Sequence, residues 1–162
     1  MTKLLKIITI SCAMATSATA GDFVLGVGVG HIADEGSSGP ATLTLEYHSD
    51  PLFERGRLSA GWSVVAQVNE DNDLFIGGGA AAEYALSERW FLEASLMPGY
   101  FGKGNGSTDL GGNIQFRTVV GLGYNLTETS AVSIAIDHKS NAGTEDVNPG
   151  TEALKIRFIK RF

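Results

Sequence analysis

Cysteine is nearly absent from this chain: of 162 residues only Cys12 is one, so no disulfide can staple the fold. Positive charge is scarce as well, with 12 Lys and Arg against 18 Asp and Glu and a net charge of −6, which argues against nucleic acid as a partner. Uninterrupted apolar runs are missing too. None reaches the roughly 20 residues that a membrane helix needs. A helical membrane protein is thereby excluded, and the length allows one domain rather than two sizeable cores.

The first residues read as an export signal. Lys3 and Lys6 supply a positive start, Ile7 to Ala15 a short apolar core, and Ala18-Thr19-Ala20 a small-residue cleavage pattern before Gly21. The expected organisation is thus a signal peptide over 1–20 and one mature domain over 21–162. Removal of the signal would take away Lys3 and Lys6, deepening the charge from −6 to −8, and would also remove Cys12. A lipoprotein acylated at Cys12 is the other reading, and Thr9 stands where that pattern wants a branched apolar residue.

From Gly21 onward apolar residues recur with a period of two, the mark of strands. Phe23, Leu25, Val27 and Val29 share one face, with Gly26, Gly28 and Gly30 on the other. Leu43, Leu45 and Tyr47 oppose Thr42, Thr44, Glu46 and His48. The pattern continues through Leu58 to Ala66, Leu74 to Tyr84, Trp90 to Leu96, Leu110 to Tyr124, Val132 to Ile136 and Leu154 to Phe162. That predicts about eight strands, several near the 9–11 residues that cross a bilayer. The second face carries mostly Gly, Ser and Thr with a few charges (Glu46, Glu83, Glu93, Arg117), which suits a narrow interior better than a wetted exterior. Tyr47, Tyr84, Trp90, Tyr100 and Tyr124 fall near strand ends, as interfacial belts require. The expected fold is all-β: an eight-stranded antiparallel transmembrane β-barrel of a bacterial outer membrane, surrounded by lipid. Both termini would face the periplasm, with outer loops over 31–39, 68–72, 101–109 and 141–150. The 49–56 connection is long for a periplasmic turn. A soluble exported barrel holding a small apolar ligand, and a non-catalytic structural or adhesive barrel, are the other readings of this pattern.

Three polar residues extend the apolar stripes. In the phase of Val132, Ile134 and Ile136 come His138 and Ser140; tracing back from Phe158, Ile156 and Leu154 leads to Glu152. All three would face lipid, where a charge costs up to about 2–4 kcal/mol at the midplane and less near the interface. Taken singly, each also fits an ordinary interfacial group. Together they fit nucleophilic catalysis. His138 and Ser140 would stand about 7 Å apart at the backbone, within reach of imidazole and hydroxyl, and a serine needs such a base to take its proton. Glu152 on the paired strand can hold the other ring nitrogen. Asn141 would offer an N–H and an amide to a developing oxyanion, and Gly143 a sharp turn.

The run His138-Lys139-Ser140-Asn141-Ala142-Gly143, followed by Asn148-Pro149-Gly150-Thr151-Glu152 and a closing strand, resembles the lipid A 3-O-deacylase (PagL-like) family, with its H-x-S-N-[AG]-G and N-x-G-x-E patterns. The sharp match covers roughly the last 25 residues. The resemblance implies an eight-stranded outer-membrane barrel that hydrolyses the 3-hydroxyacyl ester at position 3 of lipid A, so that lipopolysaccharide is the substrate. It implies His138 as base, Ser140 as nucleophile and Glu152 as third member, with Asn141, Gly143 and Asn148 in supporting positions and Phe116 as an aromatic on the preceding strand. Ile114, Phe116, Ile136 and Leu154 would hold acyl chains. No cofactor or metal is implied, and a homodimer is compatible. An outer-membrane acyltransferase would be the nearest rival in chemistry. Lys103 and Lys139 are candidate partners for lipid A phosphates. His31 and His48 read as a loop residue and an interior hydrogen-bonding residue. Asp71, Asp73 and Asp109 read as loop charges, and Gly26 to Gly30 is no dinucleotide loop, since no helix follows.

Overall fold

The computed structural model describes residues 21–32, 39–105 and 109–162. The expected export signal, 1–20, lies outside them. Nine antiparallel strands follow one another: β1 (Gly21–Gly30), β2 (Ala41–Ser49), β3 (Phe53–Arg55), β4 (Leu58–Asn69), β5 (Leu74–Ala85), β6 (Trp90–Gly102), β7 (Ile114–Thr127), β8 (Ser130–Ser140) and β9 (Thr151–Arg161). Sequence neighbours pair throughout except β2 and β3: β2 pairs with β1 and β4, β3 with β4 alone, and β9 closes onto β1. The sheet therefore closes on itself as an eight-strand barrel. The extra strand is β3, a short piece that takes over pairing with β4 beyond the point where β2 leaves it. This accounts for the long 49–56 connection: it holds a hairpin arm, turned at Gly56 (φ 63°).

Alternation decides which way the wall faces, and the result is inside out relative to a soluble protein. Leu25, Leu45, Ile76, Leu96, Val120, Ile134 and Ile156 are exposed along the strands. Glu46, Arg117, Asp137, Lys155 and Arg157 are at most 2% exposed in the interior. A belt of this extent, if wetted, would far exceed the apolar patches that soluble monomers carry. It belongs against hydrocarbon.

The lumen is filled rather than open. Arg117 donates to Glu46 (2.7 Å) and Asp137 (2.8 Å); Arg157 donates to Glu46 (2.9 Å) and pairs with Glu93 (2.6 Å). Lys155 bonds Asp137 and Thr44. Desolvated charges persist only when paired and hydrogen-bonded, and here each carboxylate meets at least one cation. Two apolar clusters complete the filling, Val65, Phe75, Met97, Phe101 and Leu110 in one and Val24, Phe91, Ala131 and Ile159 in the other. Phe91 lies across the wall on its register partner Gly123, where any side chain would collide with its ring.

The two rims differ. Short turns join β5 to β6 and β7 to β8, while longer segments join β1 to β2, β6 to β7 and β8 to β9. Aromatic residues crowd the turn end: Phe23, Tyr47, Trp62 and Phe162 stack edge to face or tilted at 5.3–5.8 Å, and Trp90 meets Tyr124 at 4.9 Å. Of the expected belt residues, only Tyr100 lies at the loop end. β7 starts at Ile114, later than the expected Leu110, which instead plugs the lumen at 2% exposure.

Candidate active site

The site sits at the loop end of the wall, where β8 finishes and β9 begins. His138 and Glu152 are register partners, so their side chains leave the sheet on the same side, and His138 Nδ1 lies 2.8 Å from Glu152 Oε1. Their side chains are 42% and 34% exposed on the lipid-facing wall. Ser140 follows two residues later on the same face, opposite Phe116 of β7. With Nδ1 committed to the carboxylate, Nε2 is the nitrogen left for the serine. Among the described residues the Ser140 hydroxyl has no hydrogen-bond partner, so the imidazole–hydroxyl contact is not closed in this conformation. Gly150 (φ 69°) covers the gap: a methyl group there would lie 3.2 Å from His138 Cε1 and 4.0 Å from Ser140 Cβ.

The loop from 141 to 150 is built around Asn141, which is fully buried. Its amide donates to Val147 O (2.7 Å) and Leu110 O (3.2 Å), its N–H to Asn148 Oδ1 (3.0 Å), and its own Oδ1 accepts from Gly143 N–H (2.9 Å). Thr144 closes the turn by donating to Asn141 O. Ala142 and Gly143, at φ 56° and 74°, make the bend. Both donors that Asn141 was expected to offer to an oxyanion are engaged in holding the loop in this structure. Asn148 and Gly143 are partners in the same arrangement.

Lys139 also departs from expectation. Alternation turns it inward, where it is 5% exposed with Nζ 3.5 Å from Asp137, so it cannot meet a lipid phosphate outside the wall. Lys103 is exposed and lies 3.5 Å from Asp109, whose carboxyl is held below its usual range by the Gly111 N–H and by this lysine. His48 bonds Glu46 at 2.9 Å as an interior histidine. Ile114, Phe116, Ile136 and Leu154 all face outward around His138, Ser140 and Glu152.

A family model described as lipid A 3-O-deacylase (PagL) matches residues 41–161. The chain belongs to this family. A curated relative, the lipid A deacylase PagL of Bordetella bronchiseptica, is 29% identical over 76 residues, 46% of this chain and 43% of that protein. The matched stretch thus spans less than half of that relative. Among solved structures, the outer membrane enzyme PagL has a TM-score of 0.66 at 23% identity, over 87% of this chain and 99% of that one. Neisserial surface protein A has a TM-score of 0.52 at 14% identity, over 88% and 94%. At these identities the two structures speak to the fold alone, a closed β-barrel.

Along the lipid-facing side of the wall strands, this PagL-family chain carries apolar or aromatic residues with few exceptions. Ser49, Ser130 and Lys160 lie at the turn end, and Thr118, His138, Ser140 and Glu152 lie together near the loop end. Thr118 is the member that sequence reading missed. It stood there as one more position of the β7 stripe, and only the register, which sets it opposite His138, reveals the company it keeps.

Proposed function

We propose that the protein is a lipid A 3-O-deacylase, a serine esterase that works from the outside of its barrel within the outer leaflet of the outer membrane. The observation that carries this reading is the placement of His138, Ser140 and Glu152 on the lipid-facing wall, where the loop rim meets the headgroups. A water-soluble ester would have no reason to be cut there. An acyl ester already embedded in the leaflet reaches such a site by lateral diffusion, without leaving the membrane.

His138 Nε2 takes the proton of the Ser140 hydroxyl as its oxygen attacks the carbonyl carbon of the ester at position 3. Glu152, held on Nδ1, fixes the tautomer and stabilises the imidazolium that forms. The tetrahedral intermediate collapses by expelling the sugar oxygen, which takes the proton from His138. Water then attacks the acyl-serine, with His138 again accepting its proton; the second intermediate expels Ser140 Oγ, which takes that proton back from His138, and the free 3-hydroxy fatty acid leaves into the membrane. Ile114, Phe116, Ile136 and Leu154 supply the apolar wall along which the acyl chain lies. Residues 1–20 act as the export signal.

The test is a mass spectrum of lipid A before and after incubation with the purified protein in detergent. Loss of one 3-hydroxyacyl group is expected. An unchanged spectrum would favour a non-catalytic barrel, and a gain in mass an acyltransferase.

A further inference from the structure

We propose that Thr118 selects the substrate by binding the hydroxyl of the acyl chain, so that the enzyme prefers esters of 3-hydroxy acids over plain fatty acyl esters. This deepens the reading of the site as an esterase and rests on it. Thr118 lies on β7 between Leu96 of β6 and His138 of β8, with Phe116 and Val120 on either side along its own strand. Its side chain faces lipid, and among the described residues its hydroxyl has no hydrogen-bond partner. An unpaired hydroxyl set against hydrocarbon is unfavourable. Valine would fill the same volume at no such cost, and apart from His138 its neighbours on the wall, Leu96, Phe116 and Val120, are apolar.

Geometry points to what the hydroxyl meets. Ser140 and Phe116 form the register pair nearest the rim, and His138 and Thr118 form the next-but-one pair, about 7 Å deeper into the leaflet. An ester whose carbonyl carbon sits at Ser140 sends its chain down the wall past Thr118. The hydroxyl of a 3-hydroxyacyl chain is carried by the second carbon beyond that carbonyl carbon, on the membrane side of the reacting bond. Ser140 and Thr118 are diagonal neighbours, typically 7–8 Å apart, which leaves room for such a group between them. A threonine hydroxyl both donates and accepts, so it can meet the substrate hydroxyl in either sense.

The experiment compares two lipid A molecules with equal chain lengths at position 3, one hydroxylated and one not, as substrates for the purified full-length protein in detergent. The wild type is expected to favour the hydroxylated ester by about tenfold in kcat/KM, the size of one hydrogen bond. Thr118→Val should collapse the ratio of the two kcat/KM values from about ten to about one, chiefly by slowing the hydroxylated ester. Thr118→Ser should restore the preference. The proposal is overturned if the wild type shows no preference, or if Thr118→Val slows both esters alike, which would make the residue a support for His138. Ser140→Ala run alongside separates the two levels. An active Ser140→Ala would sink the assignment of Ser140 as nucleophile on which this geometry rests, whereas an inactive one beside a Thr118→Val that keeps the preference would sink only the role of Thr118.

Discussion

Two polar groups share the same short stretch of β8 and face opposite ways. Asp137 and Lys139 point into the barrel, while His138 and Ser140, alternating with them, point out. Inside, the acids and bases are closely matched: Asp137 meets Arg117 and Lys155 and lies near Lys139, and Glu46 meets Arg117, Arg157 and His48. Outside, Glu152 meets His138 and the chain stops there, with one imidazole nitrogen and, among the described residues, the Ser140 and Thr118 hydroxyls still uncommitted. The difference separates a set of charges that holds a wall together from one kept ready for a substrate. The buried charges commit most of their bonding capacity to one another, with Arg157 Nε and the hydroxyls of Thr42, Ser63 and Ser95 left over among the described residues. Groups that do chemistry retain some.

If that division is right, changes on the two faces should fail in different ways. The largest effect is expected from Ser140→Ala, which should cut deacylation by at least about a thousandfold. It should leave a folded barrel, checked by heat-modifiable migration on gels alongside the lipid A mass spectrum. Loss of folding in that variant would break the comparison. Arg117→Met should act conversely. It leaves Glu46 and Asp137 without their shared cation and should destabilise the barrel by about 3–5 kcal/mol in denaturant titrations. Activity per folded molecule should change little, and a selective loss of activity at full stability would show that the inner network tunes the chemistry. Glu152→Gln should lower kcat by about a hundredfold, since the imidazolium loses its counter-charge, with little change in stability because the pair is partly exposed.

Much of this division was legible before any coordinates. A period of two, followed residue by residue, put His138, Ser140 and Glu152 on the lipid face, because a strand cannot slip by one residue without turning every side chain over. The same alternation implies that Asp137, Lys139, Lys155 and Arg157 point inward, whereas charge alone, which pairs Lys139 with a lipid phosphate, carries no information about the side. Other features were out of reach. The β3 arm has only three residues and no room for a period to show. The bonds of Asn141 run to Leu110, 31 positions away, and such a contact is set by how two loops lie on a closed barrel. Thr118 needed the register between β7 and β8, which no single strand contains.

Asn141 offers the smallest and sharpest break, because it stands where the two faces meet. It immediately follows Ser140, yet its side chain is buried and ties the 141–150 loop to the segment at Leu110. As a loop anchor, its loss in Asn141→Ala would leave the Val147 carbonyl and the Gly143 N–H without the partners they have here, and Leu110 O with Gln115 Nε2 alone, costing about 1–3 kcal/mol. Deacylation should then fall only about tenfold, through a less well-placed Ser140. Hydrogen exchange of the amides at 141, 143 and 144 should quicken together, since all three donate into this one cage. An oxyanion donor would behave otherwise. Its removal costs about a hundred- to a thousandfold in kcat while stability and loop exchange stay as they were. The two outcomes separate on a single variant: a fall in kcat with a quiet loop would return Asn141 to the outward-facing chemistry, and a restless loop with modest loss keeps it among the residues that hold the wall's rim in shape.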